Sequence, residues 1–188
     1  MVHEIKTKNK YDFFEVSSAF QKCIRRNLED DALFWGVELI ISNFDEYVWK
    51  RLRIISSEDV GLAEPNISSE IWSLYELYRE QKKKKDDKHF PERLFVIHAI
   101  ILLCRAKKSR HIDWQTCYVF GCHDNRFRAV PDFAFDKHTR QGKKMNRGFS
   151  HFFEEGCKLD NHQKVAGEDE ASENAKKALT NTCNSLFE

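Results

Sequence analysis

Apolar residues recur every three or four positions along most of the chain, the spacing of helices that bury one face. Ser17 or Ser18 suits the cap of a first helix with the stripe Phe20, Cys23, Ile24 and Leu28. Asp30 or Asp31 opens a second, in which Leu33, Phe34, Val37, Leu39, Ile40 and Ile41 leave little polar surface, so this helix is expected at the centre of the core. Asn43 breaks it, and Asp45 caps a third helix bearing Val48, Leu52 and Ile55. Gly61 and Pro65 end that helix, because neither continues one readily. Ser68 or Ser69 begins a fourth, with Ile71, Leu74, Tyr75, Leu77 and Tyr78, which runs into Lys82, Lys83, Lys84, Lys85, Asp86, Asp87 and Lys88 as a solvated end. Pro91 fits the first turn of a fifth helix, apolar on most sides from Leu94 to Leu103. A sixth is expected from Ile112 to about His123.

Beyond Val130 the pattern weakens. Pro131, Gly142, Gly148 and Gly156 punctuate a stretch rich in bases and aromatics, read as loops with a short helix. After Cys157 the chain is mostly polar, with a thin-faced helix over Ala171 to Leu179. The expected fold class is all-α: a compact bundle of about six or seven helices. Its expected organisation is a flexible N-terminus (1–16), a helical domain (17–156) and a polar acidic tail (157–188).

Composition changes this picture little. A chain of 188 residues suits one domain, and with 7 Gly and 3 Pro it lacks the turns of a strand-rich fold. Charged residues are 32% of the chain, but a net charge of +1 gives no global reason to expect a nucleic-acid partner. No apolar run follows Lys6, Lys8 and Lys10, so no secretory signal is expected. The longest apolar stretch, Leu94 to Cys104, is broken by His98 and too short for a bilayer. With that context, Cys23, Cys104, Cys117, Cys122, Cys157 and Cys183 read as reduced thiols, the location as cytoplasmic, and a membrane is not an expected partner.

Several segments carry a resemblance. Arg53-Ile54-Ile55-Ser56-Ser57-Glu58-Asp59-Val60-Gly61-Leu62-Ala63-Glu64-Pro65 resembles the "SEDxGxADP" signature of the replication-associated recombination ATPases, the AAA+ family that includes MgsA and the Werner-helicase-interacting ATPase. Ile24-Arg25-Arg26 with Asp30-Asp31-Ala32-Leu33-Phe34-Trp35 is similar to the family's "IRGS…DAALYW". Pro91-Glu92-Arg93 through Cys104-Arg105-Ala106-Lys107-Lys108-Ser109 is similar to its "GERA…APKSN" helix. Val130-Pro131 and Lys143-Lys144-Met145-Asn146-Arg147-Gly148 are similar to its "VP…KxMGYG" end. The likeness runs over roughly residues 17 to 155, in the family's order. It implies the family's C-terminal helical part, which mediates tetramer assembly there. No G-x-x-x-x-G-K-[ST] occurs, since Gly142-Lys143-Lys144 lacks the upstream glycine and the hydroxyl for Mg²⁺, and no room is left for an ATPase core ahead of these motifs. ATP hydrolysis is therefore not expected, and no cofactor is.

Candidate chemistry is sparse. Ser57, Glu58 and Asp59, with Gly61 and Pro65, are read as a structural helix end, because neighbours on an α-helix point about 100° apart and the two acids would not converge unaided. The segment from Lys137 to Arg147 holds Lys137, His138, Arg140, Lys143, Lys144 and Arg147 and no acid, flanked by Phe133, Phe135, Phe149, Phe152 and Phe153. Cations that neutralise phosphate beside aromatics that stack on bases make it the candidate nucleic-acid or phosphate site. His138 and His151 with Glu154 and Glu155 form a weak candidate for a metal-dependent enzyme. Cys117, Cys122 and His123, completed by Cys157 and His162, form a weaker zinc candidate, since residues five apart diverge on a helix. His98 is expected in the core, and Trp35 and Trp49 are expected to pack together. The function expected is a non-enzymatic assembly or adaptor module in DNA replication or recombination. It would self-associate as a dimer or tetramer, or dock on an AAA+ ATPase, with direct DNA binding as the alternative.

Overall fold

The computed structural model describes residues 5–84 and 89–185, so Lys85, Asp86, Asp87 and Lys88 of the charged run and the first four residues lie outside the described residues, as does the Cys183 side chain. The fold is all-α, with no strand among the described residues. The chain divides into two compact units, residues 1–125 and 126–188.

In the first unit, α1 (Phe13–Arg25), α2 (Glu29–Ile41), α3 (Asp45–Ile55), α4 (Ile67–Lys82), α5 (Glu92–Arg105) and α6 (His111–Cys122) follow in order. The first helix starts ahead of the expected serine caps. Asp12 is the N-cap, its Oδ1 accepting from Phe14 N at 2.8 Å and Glu15 N at 3.0 Å. Ser17 instead lies inside the helix, buried, with its hydroxyl on that of Tyr47. The short α1–α2 and α2–α3 connections turn through Asn27 (φ 57°) and Asn43 (φ 64°), a residue type that tolerates the left-handed region. The segment ahead of α1 is tied to α2: buried Glu38 accepts from Asn9 N at 3.0 Å and Asn9 Nδ2 at 2.6 Å.

The core gathers Phe20, Ile24, Leu39, Trp49, Leu52, Ile55, Ile71, Ile100 and Leu103, all closed to solvent. Burying such side chains stabilises by about 1.5–3 kcal/mol each. The two tryptophans have different neighbours. Trp49 packs its ring 5.4 Å from Tyr75 and 5.3 Å from Tyr78, whereas Trp35 meets Tyr11 and Phe34 edge-on.

Two expectations about the core are corrected. The second helix is not enclosed: it buries Ala32, Gly36, Glu38 and Leu39 and leaves Phe34, Val37 and Ile41 exposed. Gly36 sets how closely it lies on its neighbours, since a Cβ there would come 2.6 Å from Ile100 Cδ1 and 3.0 Å from Phe20 Cε2. His98 is exposed rather than in the core, because α5 turns Val96, Ala99, Ile100, Leu103 and Cys104 inward and leaves position 98 on the other side. The sixth helix buries none of its residues.

In the second unit a tight turn (Asp132–Ala134) leads to α7 (Arg140–Lys144) and α8 (Phe149–His151). The wide turn Phe152–Gly156 continues α8, and α9 (Glu168–Ser185) closes the chain, longer than the expected Ala171–Leu179. Phe149 and Phe153 stack with ring centroids 6.0 Å apart. Among the described residues no helix is long and apolar enough to cross a membrane.

Candidate functional site

After α3 the chain does not end in a regular helical turn. Ser56–Val60 form a single widened π-turn, and Gly61 follows at φ +49°, a backbone region that favours glycine. The widening brings Glu58 and Asp59 onto one set of partners, which regular α-helical spacing would not do. Arg25 of α1 donates from Nε to Asp59 Oδ1 at 2.7 Å, and from Nη2 to Asp59 Oδ2 at 3.2 Å and Glu58 Oε1 at 3.0 Å. Gln21 Nε2 donates to Glu58 Oε2 at 3.0 Å, and its carbonyl oxygen accepts from Arg51 Nη2. Arg110 approaches from the start of α6, 3.5 Å from Glu58 Oε1 and 3.7 Å from Asp59 Oδ1, and pairs with Asp113. Its guanidinium also lies 4.9 Å from the centre of the Trp114 ring.

Asp59 is fully buried. Three guanidiniums meet three carboxylates in this cluster, so the charges balance, as a buried ionic site requires. The hydrogen bond to Asp59 raises the Arg25 guanidinium above its ordinary pKa, against the opposing effect of burial. Arg25 and Gln21 hold Glu58 and Asp59, and Arg110 reaches both of them and Asp113. The arrangement is a clamp.

Three of the four segments that resemble one family are brought together here. Arg25 belongs to the first and Glu58 and Asp59 to the second. The third follows α5: Ser109 N donates to Asp59 O at 2.9 Å, and Lys107 N donates to Glu64 Oε1 at 2.8 Å. Lys108 folds back and donates from Nζ to the carbonyls of Leu103, Cys104 and Ala106 at 2.6, 2.8 and 2.8 Å, closing the C-terminus of α5. Ser56 and Ser68 hydroxyls are 3.0 Å apart across the π-turn and α4, and Pro65 lies in the turn between them. Burial lowers the Lys108 pKa and pushes the Cys104 thiol up to about 11. Sequence reasoning missed Gln21, Arg51, Lys108, Arg110 and Asp113. The available signal was chemical, in that two adjacent acids ahead of a glycine break need cations, and Arg25 and Arg110 lie in or beside matching segments.

In the second unit the basic segment separates into two kinds of residue. Arg147 is committed to the fold: Nη2 forks onto Asp132 Oδ1 and Oδ2 at 2.8 and 2.6 Å, while Nη1 donates to the carbonyls of Asp132 and Phe135. Lys137 Nζ lies 3.1 Å from the centre of the Phe149 ring, and His138 meets Phe152 edge-on. Arg140, Lys143 and Lys144 are exposed on α7, at positions i, i+3 and i+4 of one helical face. No ion pair engages them among the described residues. The Thr139 side chain caps α7 through Gly142 N at 3.0 Å. Gly142 admits the Asp136 backbone so closely that a Cβ would lie 1.9 Å from its carbonyl oxygen.

The metal candidates do not assemble. No group of three or more His, Cys, Asp or Glu side chains disposed to hold a metal is found among the described residues. Ser150 engages Glu154, Lys158 engages Glu155, and His162 engages Glu168.

An all-helical fold clamped at a Ser-Glu-Asp turn defines a class of helical module. The model of the family described as "MgsA AAA+ ATPase C terminal" matches residues 28–177, and the chain belongs to that family. It is 29% identical over 134 residues to replication-associated recombination protein A of Escherichia coli K12, covering 70% of this chain and 28% of that protein. Against the Bacillus subtilis protein of the same name, identity is 28% over 143 residues, covering 73% of this chain and 32% of the relative. The Haemophilus influenzae protein shares 26% over 129 residues, covering 68% and 27%. The chain thus spans about a third or less of the length of these relatives.

Proposed function

We propose that this chain is a non-enzymatic assembly or adaptor module associated with DNA replication and recombination, which self-associates or docks on an AAA+ partner. The observation that carries this reading is α6. Trp114, Tyr118, Val119 and Phe120 are 63%, 49%, 47% and 80% exposed on a helix that buries nothing. Trp114 and Tyr118, four residues apart, share one side of the helix and Phe120 projects from another, so bulky apolar side chains stand exposed around α6. The clamp supports the reading too, because Arg110 and Asp113 fix the start of α6 to the core and leave its apolar length outward. The test is absolute mass by light scattering after size exclusion, at low and moderate salt. A dimer or tetramer persisting at moderate salt is expected; a monomer of 22.3 kDa at both would overturn the reading.

A second reading rests on α7. Arg140, Lys143 and Lys144 share one exposed face with no carboxylate pairing them among the described residues, and Phe133 is 60% exposed ahead of them. This favours a phosphate-bearing partner such as single-stranded DNA, with Lys137 and His138 at the margin and Arg147 holding the scaffold. Anisotropy of a labelled oligonucleotide across a salt series tests it. Binding that weakens with salt and is lost in Lys143→Glu/Lys144→Glu supports the site, and unchanged affinity removes it.

A further inference from the structure

At one end of the first unit the ends of α2, α3, α4 and α5 surround a cleft of about 370 Å³, within the size range of ligand sites. Ile40, Ile41 and Val96 give it an apolar wall. Tyr78 lies against it, its hydroxyl donating to Asp45 Oδ2 at 3.0 Å, and Asp45 in turn pairs with Lys82. That pair is internally neutral. Arg93 differs, because its guanidinium lies 4.1 Å from the centre of the Phe90 ring and no carboxylate engages it among the described residues. Phe90 itself sits at φ 51°, in the left-handed region a bulky residue seldom adopts, and its ring stays half exposed. Lys8 adds a second cation at the edge and Glu92 one opposing charge, which leaves a positive surplus beside the apolar wall.

The chemistry narrows the occupant. A purely apolar group would leave the guanidinium fork unused. A free phosphate would leave Ile40 and Ile41 uncovered and would face Asp45 and Glu92. We propose that this cleft docks a segment of a partner protein in which an apolar side chain stands next to carboxylates. The apolar group packs on Ile40 and Ile41, and a carboxylate takes the planar fork of Arg93, a geometry that suits bidentate pairing. The inference stands apart from self-association, since a monomer could dock such a peptide and an oligomer could fail to.

The test is fluorescence anisotropy of the full chain with a labelled hexapeptide whose two aspartates are followed by leucine and phenylalanine. Saturable binding is expected, weakened about tenfold or more when asparagines replace the aspartates. Arg93→Ala and Lys8→Ala, each checked for native circular dichroism, should weaken it similarly, with the Arg93 change the larger. No binding at millimolar peptide, or equal affinity for the asparagine peptide, would overturn the proposal. So would unchanged affinity in the folded variants. The asparagine comparison needs no variant and decides the matter even if one fails to fold.

Discussion

Arg25 and Asp59, one on the first helix and the other on a widened turn 34 residues later, are joined by a 2.7 Å hydrogen bond in which the carboxylate is fully buried. Through this bond and its neighbours the clamp ties α1, α3 and the start of α6 to one another. Removing one partner of a buried ion pair costs about 3–5 kcal/mol, because the other charge is left uncompensated. Asp59→Ala should therefore lower stability by roughly 3 kcal/mol in urea unfolding, toward the low end because Arg25 is partly exposed. Glu58→Ala should cost less, since its side chain is partly open to water. Equal losses would contradict the ranking.

The helices themselves were legible from spacing, and the reasons for the misses are local. Ser17 reads as a cap, but Asp12 has the carboxylate that reaches Phe14 and Glu15 N, and Ser17 finds Tyr47 instead. Apolar periodicity shows which face of a helix can be buried, not what covers it, so α2 reads as core although Phe34 faces solvent. His98 was misplaced because a helix with apolar residues on most sides does not reveal its orientation. At the clamp, the two acids were visible but their convergence was not, since it depends on a π-turn that no simple propensity encodes. Arg147 looked like a phosphate ligand by charge alone. Only tertiary geometry commits it to Asp132.

Glycine substitutions give an internal contrast in the second unit. Gly142→Ala would drive a Cβ to 1.9 Å from the Asp136 carbonyl oxygen, whereas Gly148→Ala meets nothing within 4 Å. The first should disrupt the turn before α7 and accelerate amide exchange over residues 132–147. The second should leave exchange there near the wild-type rate. Similar behaviour in both would mean that Asp136 does not pack on Gly142.

Arg147→Lys should behave as a folding variant, not as a ligand-site variant. An ammonium cannot reproduce the fork onto Asp132 or reach both carbonyls, so a loss of about 1–3 kcal/mol is expected. Lys143→Gln should leave stability within about 0.5 kcal/mol, as expected of an exposed position. Thermal melts of the two variants separate these roles.

Cys104 offers a pH test. Its thiol pKa is raised from 9.0 to about 11 by burial, so between those values the folded state holds a proton that the unfolded state has released. Stability contributed by this group is fully present below pH 9 and is lost as pH rises toward about 11. Wild type should therefore lose on the order of 1 kcal/mol per pH unit relative to Cys104→Ala across that window, read by urea unfolding. A constant difference between the two proteins would show that the thiol is not held protonated by the fold. Exposed Cys117 and Cys157 should alkylate readily in the native protein while Cys104 is spared.

The central claim, that the exposed aromatic side chains of α6 form an assembly surface, is tested most directly by sedimentation velocity over a range of protein concentration. Wild type is compared with a Trp114→Ser/Phe120→Ser variant whose circular dichroism is unchanged. Neither residue belongs to the buried core, so both proteins should fold. The expected result is wild type sedimenting as a dimer or tetramer and the variant as a 22.3 kDa monomer. A wild-type monomer at every concentration, or an oligomer that the two substitutions leave intact, would contradict the assignment of α6.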